Sequence, residues 1–285
     1  MFRSGRAYIV WMKFRRNRVS IIGAFIVISV ILMALLAPLL SPYSPAQEGW
    51  IDPPRKFLPP SNKHLLGTDH LGRDVLSYII WGSRPSILAA VGVVAIETAI
   101  ALVIGSIAGY YGGIIDNVLM RFTDLILTIP NLILLIVAVS MFKVRSMVTI
   151  VIVMGFLWWP WMTRVIRSQF LSLRESMYVE AAKSMGASDL HIILHHIIPN
   201  CISPIIVTAT IDIAAAILSL TTLSFLGLGD PRMINWGTLI NDGRRYLRSA
   251  WWITTFPGIA IFITTLGFNL LGDGLRDAFD IKIRG

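Results

Sequence analysis

Residues 21–40, IIGAFIVISVILMALLAPLL, form an apolar run that contains no charged side chain. A helix needs about 20 mainly apolar residues to cross a bilayer, so this run is long enough. The basic segment before it, KFRRNR, would also suit a secretory signal peptide, but the apolar core of a signal peptide has only about 7–15 residues. Further apolar runs follow along the chain. We therefore predict a retained first transmembrane helix over residues 21–40.

Apolar runs of comparable length recur through the rest of the chain. The 285 residues are 55% hydrophobic and 14% charged, whereas a soluble domain contains about 25% charged residues. The predicted fold class is an all-α integral membrane protein with six transmembrane helices. We predict these spans at residues 21–40, 86–110, 117–140, 147–166, 201–222 and 251–272.

The basic residues lie mainly at the ends of these spans. The formal net charge is +9, but no nucleic-acid-binding motif accompanies it. We therefore expect contact with the anionic headgroups of the lipid bilayer and no binding of nucleic acid. Six basic residues precede the first span: Arg3, Arg6, Lys13, Arg15, Arg16 and Arg18. Because Lys and Arg favour the cytoplasmic side, residues 1–20 are predicted to lie in the cytoplasm.

Six spans return the C-terminus to the cytoplasm, so the protein is predicted to be a multi-pass protein of the cytoplasmic membrane. Residues 41–85 and 223–250 then lie outside the cytoplasm. Residues 167–200 and 273–285 lie inside it. Residues 86–272 form a five-helix core.

The segment that follows the first span, SPYSPAQEGWIDPPRKFLPPSNKH, contains six prolines. Proline lacks a backbone donor and clashes with the preceding helical turn. We therefore predict an extended, proline-rich strap over residues 41–85. Within residues 223–250 we expect a short re-entrant or surface helix. Trp251 and Trp252 suit the outer headgroup belt.

An amphipathic insert, YVEAAKSMGASDLHIILHHIIPN at residues 178–200, separates two apolar runs. Tyr178, Ala181, Ala182 and Met185 recur at helical spacing, which predicts that they share one helix face. Gly186 then permits a left-handed turn at the end of that helix.

A second short helix is predicted after this glycine corner. Ser188 can cap its start, and four apolar residues are expected to line one side of it: Leu190, Ile193, Leu194 and Ile197. Pro199 opens the next span. A rigid elbow of this kind could transmit force from a cytoplasmic partner to a span. From the residues alone, an ordinary interfacial helix is an equally open interpretation.

The insert resembles the EAA loop of ABC-importer permeases, since EAAKSMG is followed thirteen residues after Gly186 by Pro199. The loop of this chain ends in HIIP, where His196 and Ile198 depart from the usual Ile-x-Leu-Pro ending. Other segments are similar to the dipeptide/oligopeptide/nickel group of these permeases: HLLGTDHLGRDVLSYIIWGSRPS, YYGGIIDNVLMRFTDLILTIP, LSFLGLGDP, NWGTLINDGRRYL and FNLLGDGLRDAFD. Together they cover roughly residues 15–283 and resemble the C-type subunit of the permease pair.

The resemblance implies a type I ABC importer permease fold, with a coupling helix in the groove of a cytoplasmic ATPase. It places seven residues at that contact: Tyr178, Glu180, Ala181, Ala182, Met185, Gly186 and Asp189. The implied partners are a homologous second permease, two ABC ATPase subunits and an extracytoplasmic substrate-binding protein. The chain has no GxxxxGK[ST] phosphate loop. We expect ATP and Mg to be bound by the partner ATPases, with no cofactor and no catalytic residue in this chain, which is therefore not itself an enzyme.

Charged residues within the predicted spans are costly and usually face protein or water. Glu97 and Asp212 therefore either line the translocation path or hydrogen-bond across a helix contact. Arg121 and Asp124, three residues apart, could pair.

Small residues, prolines and histidines also carry expectations. Gly105 and Gly109 form a GxxxG pair, which predicts a close helix contact. The prolines of spans three, four and six are expected to break them: Pro130, Pro160 and Pro257. His191 and His195 have a spacing that can bind zinc, but no carboxylate or cysteine completes the set, so no metal site is predicted.

The resemblance thus implies a permease subunit that imports di- or oligopeptides by alternating access, driven by separate ATPases. Oligosaccharides or nickel are alternative substrates for the same type of importer. A proton-driven secondary transporter that uses Glu97 and Asp212 is a further alternative, although the two halves show no convincing repeat. An intramembrane enzyme is disfavoured because no nucleophile–base or metal set is present.

Overall fold

The computed structural model describes residues 2–47, 49–142 and 145–280. Within these ranges the regular structure is helical, apart from one isolated bridge between Thr68 and Asp74. The α-helices are α1 (Phe2–Arg16), α2 (Arg18–Leu35), α3 (Ala37–Leu40), α4 (Val75–Tyr111), α5 (Gly113–Leu127), α6 (Asn131–Ser140), α7 (Met147–Leu173), α8 (Met177–Ser184), α9 (Asp189–Ile192), α10 (Ile198–Phe225), α11 (Trp236–Gly243) and α12 (Trp252–Phe279). Short 3₁₀ turns occupy Pro53–Arg55 and Arg244–Tyr246, and a π turn occupies Ile193–Ile197.

Five helical runs among the described residues are long and apolar enough to cross a membrane. They are α2, α4, α7, the continuous run Asp189–Phe225 and α12. The bent pair α5–α6 makes a sixth if it is counted as one span. The predicted all-α fold class is therefore confirmed.

Helix α4 begins at Val75, whereas the sequence predicted a span from residue 86 and a strap that reached residue 85. The side chain of Asp74 caps the helix by accepting a hydrogen bond from the Ser77 backbone N–H at 2.8 Å. Pro85 lies inside α4 and does not delay its start. The non-helical strap is thus confined to about residues 41–74.

Two of the three prolines that were expected to break a span do not interrupt a helix. Pro130 separates α5 from α6, which are bent by 81° relative to each other, so this break is confirmed. Pro160 and Pro257 lie inside the continuous helices α7 and α12. Both of these prolines are buried, and packing against neighbouring helices can hold a membrane helix together at a proline.

The contact between α4 and α7 is the most extensive helix pair of the fold. A Cβ atom at Gly105 would lie 3.0 Å from the Thr163 carbonyl oxygen, and one at Gly109 would lie 2.5 Å from the Phe170 Cβ. Neither glycine could therefore carry a side chain without a shift of α7. The close helix contact predicted from the GxxxG pair is confirmed.

A second framework joins α2 and α10 to α12. Gly23 packs on the backbone of Leu270 and Leu271, and Gly272 packs on Ile211. Lys13 Nζ donates to the Asp280 carbonyl oxygen at 3.0 Å. This contact holds α1 beside the end of α12. The described parts of both chain termini therefore lie at one end of the bundle, which also carries residues 174–197.

The strap, residues 41–74, closes the opposite end of the bundle. Arg73 Nε contacts Asp69 Oδ2 at 2.5 Å, and Arg73 Nη2 contacts Asp242 Oδ2 at 3.2 Å. Burial of the Arg73 guanidinium lowers its pKa, but Asp69, Tyr78 and Asp242 together have the larger effect, so the pKa of Arg73 is raised. The ion pairs therefore fasten the strap to α11 with a permanent charge.

Two tryptophans anchor the same end through buried hydrogen bonds. Trp236, at the start of the short helix α11 that was expected within residues 223–250, donates from Nε1 to the Ile79 carbonyl oxygen at 2.9 Å. Trp252 donates to the Thr68 carbonyl oxygen at 3.0 Å and is buried. The prediction that Trp252 sits in the headgroup belt is wrong, because the strap covers it and supplies a partner for its indole N–H. Trp251 is exposed.

Replacing Gly109 by alanine should lower the Tm of the purified protein. The new methyl group would meet Phe170, and overpacking costs about 1–3 kcal/mol. The matched control is Gly258→Ala, because a Cβ at Gly258 has no atom within 4 Å. We expect the control to match or exceed the parent in thermal melts in detergent, and equal melting of the two variants would contradict the packing argument.

Candidate functional site

A helical corner at residue 186 joins α8 to α9. Gly186 has a φ of +83°, the left-handed conformation predicted for it. The Gly186 N–H bonds to the Lys183 carbonyl oxygen at 2.9 Å, and the Ala187 N–H bonds to the Ala182 carbonyl oxygen at 3.1 Å. This pair of bonds is the Schellman motif, which ends a helix at a glycine. We call residues 177–197 the elbow.

The second arm of the elbow is continuous with a long membrane helix. Ser188 caps α9 by accepting from the His191 N–H at 3.4 Å. The π turn Ile193–Ile197 then leads directly into α10, so that Asp189–Phe225 forms one 37-residue run. The elbow is therefore joined without interruption to a helix that extends through the bundle.

The inner side of the elbow packs on the bundle through small and branched apolar residues. The buried residues are Val179, Ala182, Ile192, Ile193 and Ile197, which join a cluster with Phe170 and Cys201. The expectation that Ala182 shares a surface with Tyr178 and Met185 is wrong, because Ala182 is in this core. Ala181, Tyr178 and Met185 are exposed.

The predicted apolar side of the second arm is also divided. Ile193 and Ile197 are buried, whereas Leu190 and Leu194 are exposed. A π turn carries an extra residue relative to the α-helical repeat. The inward stripe therefore shifts to Ile192 and Ile193, and the period of 3.6 residues used for the prediction does not hold here.

The outer side of the elbow presents an apolar surface next to charged residues. Met185 is 82% exposed and Leu190 is 66% exposed. Tyr178 and Leu194 extend this surface, and Glu180 and Lys183 are exposed on the same two-helix unit. Large apolar side chains that cluster on a surface mark sites of interaction with protein or membrane. The elbow therefore carries a candidate docking surface.

Tyr110, at the end of α4, ties both arms of the elbow to the bundle. Its hydroxyl donates to Asp189 Oδ1 at 2.7 Å. The ammonium group of Lys183 lies 5.2 Å from the centre of its ring, within range for a cation–π contact. Sequence reasoning selected Asp189 but missed Tyr110 and Lys183, because a contact across 79 residues leaves no local pattern.

Glu97 and Asp212 lie on two helices that pack against each other, α4 and α10. Glu97 is 1% exposed, and Asp212 is half-buried. One oxygen of each carboxylate, Glu97 Oε2 and Asp212 Oδ2, has no hydrogen-bond partner among the described residues. The structure thus places the two acids on a pair of packed helices.

The acidic residues of α5 pair with α7. Asp124 contacts Arg164 at 2.5 Å, so the expected pairing of Asp124 with Arg121 is wrong. Asp116 accepts from Arg167 Nη2 at 2.6 Å. Each arginine projects from α7 towards α5, and this contact between distant parts of the chain outcompetes a local pair on one helix.

The elbow histidines lie close to one another on the exposed side. The rings of His191 and His195 stack with centroids 4.4 Å apart. In the part of the chain that the structure describes, no three His, Cys, Asp or Glu side chains are placed to hold a metal ion.

These features define a class of protein: a multi-pass membrane protein with a helical elbow, exposed on its outer side, at one end of its bundle. The chain belongs to the family of binding-protein-dependent transport system inner membrane components, whose family model matches residues 101–285. Residues 7–60 match the N-terminal transmembrane domain of oligopeptide transport permease C. The protein is therefore a multi-pass permease component of the inner membrane with the type I importer permease fold.

Curated relatives cover nearly the whole chain. It is 38% identical to the dipeptide transport system permease protein DppC of Haemophilus influenzae, over 96% of this chain and 94% of the relative. It is 40% identical to the probable D,D-dipeptide transport system permease protein DdpC of Escherichia coli, over 99% and 94%. It is 37% identical to the oligopeptide transport system permease protein OppC of Bacillus subtilis, over 96% and 88%.

A double-mutant cycle on Tyr110→Phe and Asp189→Ala should reveal coupling. Each single change removes the same hydrogen bond, which contributes about 1 kcal/mol. We expect each variant to lower the Tm, and the double variant to melt close to the worse single variant. Strictly additive losses would mean that the two side chains do not interact. Tyr111→Phe is the control, since Tyr111 is exposed beside Tyr110.

Proposed function

We propose that this chain is the transmembrane permease subunit of an ATP-driven importer that carries di- or oligopeptides across the cytoplasmic membrane. The observation that carries the proposal is the elbow: an exposed apolar docking surface fixed rigidly to a membrane helix. The family membership supports the transport role. Peptides are proposed as the substrate because the relatives are named as permeases of dipeptide and oligopeptide transport systems.

The elbow is proposed to lie in the cytoplasm together with both chain termini. The six basic residues among residues 1–20 support this orientation, because Lys and Arg near the ends of spans favour the cytoplasmic side. The strap and α11 then lie outside, where an extracytoplasmic substrate-binding protein would deliver the peptide.

Two ABC ATPase subunits are proposed to take part. One would dock on the elbow of this chain, and the other on the corresponding elbow of a homologous second permease. Residues of the outer side would form the contact: Tyr178, Glu180, Ala181, Met185 and Asp189. Ala182 supports them from inside, and Gly186 sets the angle of the corner. ATP and Mg would be bound by the ATPases, so the hydrolytic chemistry lies outside this chain.

Alternating access would follow from movement of the elbow. When ATP binding closes the two ATPases, the elbow is drawn with them. The run Asp189–Phe225 transmits this movement to α10, and the tie from Asp189 to Tyr110 transmits it to α4. Because α4 is packed tightly on α7, the three helices would move together and open the path on the other side.

The alternatives from the sequence differ in substrate or in energy source. An importer of oligosaccharides or nickel would use the same elbow. A proton-driven transporter would instead depend on Glu97 and Asp212, which remain candidates for the translocation path. The exposed apolar elbow favours a partner-driven mechanism, since a secondary transporter has no need of a docking surface for an ATPase.

The docking surface can be tested with Met185→Ser and Leu190→Ser together. Both side chains are exposed, so the fold should persist while apolar contact with the ATPase is lost. We expect affinity purification in mild detergent to recover fewer ATPase subunits, and peptide uptake to fall in parallel. The control Met12→Ser changes an exposed methionine of α1. A parent protein that purifies without any ATPase would contradict the importer proposal.

The corner itself can be tested with Gly186→Pro and Glu180→Lys. Proline fixes φ near −65° and removes the N–H, so it cannot adopt the φ of +83° or bond to Lys183. Glu180→Lys reverses a charge on the exposed side and leaves the corner intact. We expect both variants to remain in the membrane and to lose ATP-driven uptake. Normal uptake in both would argue against coupling through the elbow.

A further inference from the structure

Helix α5 has three chemically distinct faces. One face is buried against the rest of the chain and carries Asp116 and Thr123. A second face is exposed and apolar: Ile114, Val118, Phe122 and Leu125. A third face is exposed and polar: Asn117, Arg121 and Asp124, continued by the C-cap residue Thr128. We call these four residues the polar stripe. At about 100° per residue, the two exposed faces point in directions roughly 85° apart.

The polar stripe is unfavourable against lipid. A charged side chain in hydrocarbon is costly, and such groups in spans face protein or a water-filled cavity. The ion pair of Asp124 with Arg164 does not remove the problem, because these side chains remain 56% and 46% exposed. Arg121 is exposed and has no ion-pair partner among the described residues. The apolar face can meet lipid or another chain, but the stripe needs a polar neighbour.

The interruption between helices α5 and α6, next to the polar stripe, supports the same conclusion. Between α5 and α6, Thr128, Ile129 and Pro130 are exposed where the helix bends by 81°. Non-helical backbone at membrane depth is tolerated only where it is buried in protein or lines a water-filled cavity. Broken helices of this kind supply backbone polar groups at the substrate sites of transporters.

We propose that the polar stripe, with Arg164 of α7, lines the aqueous path through which the substrate crosses the membrane. Arg121 provides the cation that offsets the carboxylate of a passing peptide. This inference rests on the proposed import function and names the part of the surface that would carry it out. The stripe replaces part of the hydration shell of a peptide with fixed donors and acceptors, while the neighbouring apolar face closes the path against lipid or the second permease.

Cysteine accessibility distinguishes the two exposed faces within one helix. In a Cys201→Ala background, which removes the single native cysteine, cysteines are introduced singly at Asn117 and Thr128, and at Val118 and Leu125 as matched controls. The assembled transporter is reacted in membranes with a charged, membrane-impermeant thiol reagent. A cysteine in apolar surroundings has a raised pKa, and its thiolate fraction falls about tenfold for each pKa unit. We therefore expect the stripe cysteines to react at least about tenfold faster than the cysteines at Val118 and Leu125.

Equal or faster reaction of the Val118 and Leu125 cysteines would overturn the inference. Protection of all four cysteines would also overturn it, because the stripe would then be buried against the second permease. Peptide uptake by the same variants separates this failure from failure of the proposed function. If peptides are transported but the stripe cysteines are not labelled, the inference about the path is rejected and the proposed import function stands.

The role of Arg121 has its own test. Arg121→Gln should reduce peptide uptake severalfold, and Arg121→Lys should restore most of it, since lysine keeps the charge. Assembly with the ATPases, measured by co-purification, should be normal in both variants. Arg248→Gln, which removes an exposed arginine near α12 at the strap end, is the control. Unchanged uptake in Arg121→Gln would exclude the proposed contact with the peptide carboxylate.

Discussion

A backbone in hydrocarbon must satisfy its own hydrogen bonds, and this constraint shapes the whole chain. It explains why the described residues within the bundle are helical and why the long helices continue through Pro85, Pro160 and Pro257. The same constraint requires that the free backbone groups find partners wherever a helix ends within the bundle. The corner at Gly186 satisfies its carbonyl groups through a Schellman motif. The break at Pro130 remains open on the surface of this chain, which indicates that another polar surface or water must meet it.

Close glycine contacts pack these helices tightly against one another. Gly105 and Gly109 bring α4 against α7, and Gly23 and Gly272 bring α12 against α2 and α10. Interiors packed in this way are bistable and resist gradual deformation. The hydrogen bond between Tyr110 and Asp189 joins the elbow to α4, and the second arm of the elbow is continuous with α10.

The features that could be predicted from the sequence are those with a local signature. Apolar runs predicted the membrane helices, the GxxxG spacing predicted a close helix contact of α4, and Gly186 predicted the left-handed corner. The failures came from information that is not periodic or not local. The cap at Asp74 starts α4 earlier than the apolar pattern indicated. The π turn changes which residues of the elbow face inward. Asp124 pairs with Arg164 of α7 and not with Arg121 on its own helix. The burial of Trp252 was not predicted, because its hydrogen-bond partner in the strap, Thr68, lies 184 residues earlier in the chain.

The surfaces left open by the fold follow a common logic. A single chain of this kind buries one face of α5 and leaves two faces exposed, one apolar and one polar. A monomer in lipid could accommodate the apolar face but would pay heavily for Arg121 and for the Asp124–Arg164 pair. A second permease packed beside this chain would resolve the conflict, because the two proteins could enclose a polar channel between their charged faces and leave only apolar surface towards the lipid. The open polar face is thus a physical reason for this chain to work as one half of a pair.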